Sequence, residues 1–167
     1  MDWKSAQHLS GYQRLKSNKP LRGACHECAH GVVHAVMDWP FIRLELGNED
    51  LGGNLVSGGR CIVEPMHITE EHVTQEITSV LAGFAFEKLV RPGIPVTATG
   101  SLEASDDLQR ATSYYGYPWV NKSENIETLL VKARNILLKN WDWMLRAGEQ
   151  LMKRGALTYE EFLKLRD

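Results

Sequence analysis

A mainly α (α+β) fold, helical with a small β element, is what this sequence predicts, and three observations predict it. Apolar residues recur at helical spacing through long stretches, above all over residues 69–90 and 123–154. One short stretch, Phe41 to Leu46 (Phe-Ile-Arg-Leu-Glu-Leu), alternates apolar and charged residues instead, the period of a half-buried strand. His26-Glu27-Cys28-Ala29-His30 spells HExxH, a pattern whose chemistry depends on a helix.

The elements follow in chain order. Residues 2–17 are polar with scattered apolar positions and read as a short helix, so residues 1–19 form an N-terminal helical extension and 20–167 the main domain. Pro20 opens the next segment, and Gly23 to Met37 is the HExxH helix, stopped by Trp39-Pro40. Gly47 to Asn54 is turn chemistry, and Leu55 to Val63 is a second strand interrupted by Gly58-Gly59. A helix from Thr69 carries acids in its first turns and runs to Val90. Pro92, Gly93, Pro95 and Gly100 make a loop, after which Ser105 caps a helix from Asp106 to Tyr115. Ser123 to Arg154 reads as one long amphipathic helix, and Thr158-Tyr159-Glu160-Glu161 as the cap of a short last one. The aromatic residues Tyr114, Tyr115, Tyr117, Trp119, Trp141 and Trp143 read as core.

Composition narrows the function classes. At 167 residues the chain can bury one core without disulfides, and 43% hydrophobic with 24% charged residues is the balance of a soluble globular domain. A net charge of −2 gives no electrostatic reason to bind nucleic acid or an anionic membrane. No apolar run reaches a membrane span, residues 1–20 lack a signal-peptide core, and three cysteines suit a reducing compartment, so the expected location is cytoplasmic.

The motif carries the chemistry. Residues four apart lie one turn apart on a helix, so His26 and His30 can put two imidazole nitrogens on one metal ion, with Glu27 beside them. Zinc (Zn2+) suits such ligands and in catalytic sites keeps a coordination position open for water, on which Glu27 would act as general base. Cys25 and Cys28 also spell CxxC. With His26 at 0° on the helical wheel, His30 falls near 40° but the cysteines near −100° and −160°, facing away. They read as small buried apolar residues. His34 continues the four-residue spacing, but His26, His30 and His34 span about 12 Å along the axis, too far to converge on one ion. At about 80° it borders the site, in either a packing or a substrate-rim role. A third ligand must come from elsewhere, and Glu87, Asp106 and Asp107 are the acidic candidates.

Three segments together resemble the zinc peptidase domain of the FtsH-type AAA membrane proteases. Their HEAGH is similar to His26-Glu27-Cys28-Ala29-His30, and their LGGRAAEEL to Leu81-Ala82-Gly83-Phe84-Ala85-Phe86-Glu87-Lys88-Leu89. Their GASNDxxxAT resembles Glu103-Ala104-Ser105-Asp106-Asp107-Leu108-Gln109-Arg110-Ala111-Thr112, and their final Leu-Thr-x-x-Glu turn resembles Leu157 to Glu161. The likeness covers residues 20–167, which it marks as a zincin-type peptidase domain. It implies Asp107 as the third metal ligand and leaves Glu87 to orient a ligand histidine. His34, Phe84 and Glu103 depart from the family pattern without touching those ligands.

The family carries an ATPase module and membrane anchors, and this chain has no GxxxxGK[ST] phosphate loop. The resemblance therefore implies a soluble, ATP-independent zinc metalloendopeptidase that acts on peptides or unfolded proteins, as a homo-oligomer or beside a separate ATPase partner. The alternative is a non-catalytic zinc-containing binding or regulatory module, which would have no need of Glu27. Phe41 to Leu46 reads as an edge strand for pairing with an extended peptide.

Overall fold

A computed structural model describes residues 2–47, 59–64, 69–70, 72–93 and 102–167, and the fold is mainly helical with one small antiparallel sheet. The helices are α1 (Tyr12–Ser17), α2 (Lys19–Val36), α3 (Val73–Val90), α4 (Leu102–Tyr115), α5 (Ile126–Lys139), α6 (Trp141–Arg154) and α7 (Tyr159–Leu163). The strands are β1 (Arg43–Glu45), β2 (Arg60–Ile62) and β3 (Ala156–Thr158). The expected turn at 47–54 and loop at 92–100 fall largely outside the described residues, as does the first half of the strand expected at 55–63.

α2 is the central helix, covered on every side over most of its length. From Ala24 to Ala35 every residue is buried, the histidines and Glu27 included. The Asn18 side chain accepts from Leu21 N–H at 3.0 Å, so α2 starts at Lys19, four residues before the expected start. Pro20 sits in the first turn, where no backbone N–H is missed. At the other end Asp38 takes a left-handed conformation (φ 52°). Trp39 N–H then bonds back to His34 O at 2.8 Å and Asp38 N–H to Ala35 O at 3.3 Å, the Schellman arrangement that closes a helix.

Two cores position what surrounds α2. The larger joins α2 to α3, α5 and α6 through residues such as Ala29, Phe86, Leu137, Met144 and Leu151. Cys25 and Cys28 are buried within it, on the side of α2 away from the histidines, as the helical wheel requires. Ala6, Tyr12 and Leu15 of the first segment belong to the same core, and Tyr12 Oη donates to Val90 O at 3.0 Å. The smaller core packs α3, α4 and α5 together through Ile77, Leu81, Ala111 and Leu129. Ala111 lies one turn beyond Asp107, so this contact sets where Asp107 stands. Each large apolar side chain so buried contributes roughly 1.5–3 kcal/mol.

Several expectations need correction. The stretch from Ser123 to Arg154 is two helices, because Asn140 leaves helical geometry (φ −119°) and turns its amide back to Ile136 O at 2.8 Å. Ser105 is not a cap, since α4 begins at Leu102 and runs through it. Phe41 to Leu46 is not an edge strand. Its core, β1, is the middle of the sheet in the order β2-β1-β3, with Leu44 opposite Cys61 on one side and Leu157 on the other. β3 takes the second side because Gly155, left-handed at the end of α6, reverses the chain and places its carbonyl on Leu46 N–H at 2.9 Å. The capping box on α7, Thr158 with Glu161, forms as expected. Among the aromatic residues Trp141 and Trp143 are core, whereas Tyr117 and Trp119 stack on each other at the surface. Among the described residues no helix is long and apolar enough to cross a membrane.

Candidate metal centre

α2 brings His26 and His30 onto one face, their ring centroids 5.1 Å apart and their planes at 74°. α4 crosses opposite them and supplies Asp107. Its Oδ2 lies 3.2 Å from His26 Nε2 and 3.2 Å from His30 Nε2. One ligand atom from each of these three residues falls within 4.8 Å of the others, the spacing a single ion needs. All three residues are buried, at 1%, 8% and 6% exposure.

The chemistry of this cluster calls for a proton or a metal ion between its ligand atoms. His30 Nδ1–H donates to the carbonyl of Ser79 at 2.7 Å, which fixes the tautomer and leaves Nε2 as an acceptor in the neutral ring. That acceptor faces a carboxylate oxygen, and Asp107 Oδ2 is buried with no hydrogen bond of adequate geometry. Two lone pairs at 3.2 Å repel unless a proton or a metal ion lies between them. Without a metal, protons serve. Burial lowers the pKa of His26, but Asp107 and Glu87 outweigh it and raise it well above the ordinary value. His30 is raised in the same way, burial being overcome by Asp107. Burial favours a neutral Asp107, yet His30 and His26 drive its carboxyl well below the usual carboxylate range. The donor set of two imidazoles and one carboxylate therefore fits a divalent cation such as zinc.

Space at the cluster is made by α3. A Cβ on Gly83 would lie 2.5 Å from His26 Nε2 and closer still to Asp107 Oδ2, so only glycine lets α3 pass there. One turn further, Glu87 is buried at 4% exposure, with Oε1 3.7 Å from His26 Nδ1 and Oε2 3.4 Å from Arg91 Nε. Arg22 stands 4.0 Å from the same oxygen. Glu87 is thus no metal ligand in this geometry but a carboxylate behind His26, held by two guanidinium groups.

Glu27 is 3% exposed and lines a cavity of about 270 Å³ together with His26, His30 and Asp107. The opposite wall is Gly59 and β2. Gly59 crosses directly over Glu27, where a Cβ would come within 3.0 Å of the carboxyl carbon and within 2.8 Å of Glu45 O. His34 also borders the cavity, as the helical wheel places it, but Nδ1–H donates to Trp39 O at 2.8 Å and the residue belongs to no ligand group among the described residues. Burial pushes its pKa down to about 4, outweighing the Trp39 carbonyl. Asp106 is exposed on the rim and not in the cluster.

Sequence reading missed four features of the site: the Ser79 carbonyl, Gly83, Gly59 and the placement of β2. A backbone carbonyl leaves no residue signal. Gly83 lies within the Leu81 to Leu89 stretch, and a glycine in an apolar helix interior was its signal. Compared with protein-family models and with curated proteins, the chain matches none.

Proposed function

We propose that this chain is a zinc metallopeptidase that hydrolyses peptide bonds without ATP, as its resemblance to the FtsH-type peptidase domain implies. The observation that carries the reading is the convergence of His26 Nε2, His30 Nε2 and Asp107 Oδ2 in a buried cavity that Glu27 also lines. His26, His30 and Asp107 would hold the ion, and bound zinc would supply Lewis acidity that activates water and polarises a carbonyl.

The chain's own groups do the rest. Ser79 O, by accepting a hydrogen bond from His30 Nδ1–H, would keep Nε2 directed at the ion, and Glu87 stands behind His26 Nδ1 for the same purpose. Glu27 takes the proton of the attacking water and returns it to the departing amine. β2, on the cavity wall, has no strand on its outer side among the described residues, so it offers backbone groups to an extended peptide. Pairing of an extended chain with β2 would favour short peptides and unfolded segments over folded proteins.

Peptide cleavage by zinc-loaded wild type and Glu27→Gln tests the reading. Wild type should cleave an unfolded substrate with or without ATP. Glu27→Gln should keep its zinc and lose roughly two to four orders of magnitude in kcat. Full activity in Glu27→Gln would overturn the mechanism. Zinc binding with no cleavage by wild type would favour the non-catalytic module instead.

A further inference from the structure

Two cations, Arg60 and Arg110, line the cavity that holds Glu27. They differ in what occupies them. Arg60 is paired with Glu45 at 2.8 Å, a carboxylate it shares with Arg43 at 3.0 Å. Arg110 is exposed and makes no hydrogen bond or ion pair among the described residues. The buried acid Glu76, which also lines the cavity, makes no ion pair with it among the described residues and is shifted toward its neutral form by burial in spite of Arg110. Arg110 is therefore not spent on a protein carboxylate.

Its position is equally specific. Asp107 and Arg110 are three apart on α4 and share a face, with a rise of about 4.5 Å between them. An extended peptide advances about 3.3 Å per residue, so a guanidinium there meets groups one or two residues from a bond cut at the metal. Arg110 also joins the cavity to a second, more open groove of about 460 Å³ along Gln109, Ser113 and Tyr114. Any chain passing from one to the other goes by it.

Resting on the peptidase reading above, we infer that Arg110 selects substrates by receiving a carboxylate one or two residues from the scissile bond. A planar guanidinium binds a carboxylate in two parallel hydrogen bonds, which a neutral amide of the same shape cannot match. That carboxylate is either an acidic side chain or the free C-terminus of a short peptide.

The test uses binding, so that it does not depend on turnover. Zinc-loaded Glu27→Gln protein is titrated with fluorescent peptides that carry Glu or Gln at each position near the cleaved bond, with free or amidated C-termini. The Glu or free-acid peptide should bind about tenfold tighter or more, and the preference should weaken as salt rises. Adding Arg110→Ala should bring the ratio to about one, and Arg110→Lys should restore part of it. A preference for internal Glu that survives amidation assigns the side chain. One that vanishes on amidation assigns the terminus. Equal affinities in the parent, or an unchanged ratio in Arg110→Ala, overturn the role of Arg110. Wild-type cleavage of the Gln peptides, run in parallel, judges the peptidase reading separately.

Discussion

His30 and His34 stand on successive turns of α2, and each donates its Nδ1–H to a backbone carbonyl, Ser79 O at 2.7 Å and Trp39 O at 2.8 Å. Both are buried and both border the same cavity. What differs is the company of Nε2. At His30 it meets Asp107, which raises the pKa and makes a place for a cation. At His34 no carboxylate answers within ion-pair distance among the described residues, and burial pushes the ring to about 4 and holds it neutral. Identical residue, spacing and tautomer give a candidate ligand in one turn and a wall in the next. The neighbouring helix makes the site, and the repeat of histidines along α2 does not.

The largest way to break this contrast is to move that neighbour. Gly83→Ala puts a methyl group between α3 and the His26–Asp107 pair. It should abolish zinc binding and lower stability by about 1–3 kcal/mol, read by chelator competition and denaturant unfolding. Unchanged zinc affinity would show that α3 does not set the cluster.

The pH response sharpens it next. His34 has a folded pKa depressed to about 4 from an ordinary 6.5, so below pH 6.5 the unfolded chain takes up a proton that the folded one refuses. Its contribution to stability is complete above pH 6.5 and is lost as pH falls from 6.5 to 4, on the order of 3 kcal/mol in all. His34→Asn keeps a donor for Trp39 O and should flatten that part of the unfolding curve. An equally steep curve in the variant would reject the assignment.

A smaller effect is expected behind the other histidine. Glu87→Gln should weaken zinc by about tenfold without removing it, because Glu87 steadies His26 and does not touch the ion. Complete loss of metal would make Glu87 a ligand. Smallest of all is Gly23→Ala on α2, where nothing lies within 4 Å of the new methyl. It should stabilise the protein by up to about 1 kcal/mol in thermal unfolding, the reverse of Gly83→Ala.

The sequence disclosed what is local. HExxH identified the helix and the face on which His26 and His30 gather, the wheel turned Cys25 and Cys28 away from that face, and Thr158 with Glu161 marked the last cap. Asp107 was reached by resemblance, because an acid in the first turns of a helix has an ordinary electrostatic explanation. What depends on contact between distant segments stayed hidden. β3 is three residues with one buried side chain, Leu157, and its pairing with β1 exists only after α6 has turned back. The break at Asn140 is masked by apolar residues on both sides of it. Ser79 acts through a carbonyl, and that atom carries no trace of residue type.

Zinc stoichiometry of wild type, His30→Asn, His34→Asn and Asp107→Ala, with helix content checked by circular dichroism, tests the central claim most directly. The account predicts one zinc per chain in wild type and His34→Asn, and none retained by the folded His30→Asn and Asp107→Ala proteins. Metal kept by Asp107→Ala, or lost from a folded His34→Asn, would contradict it.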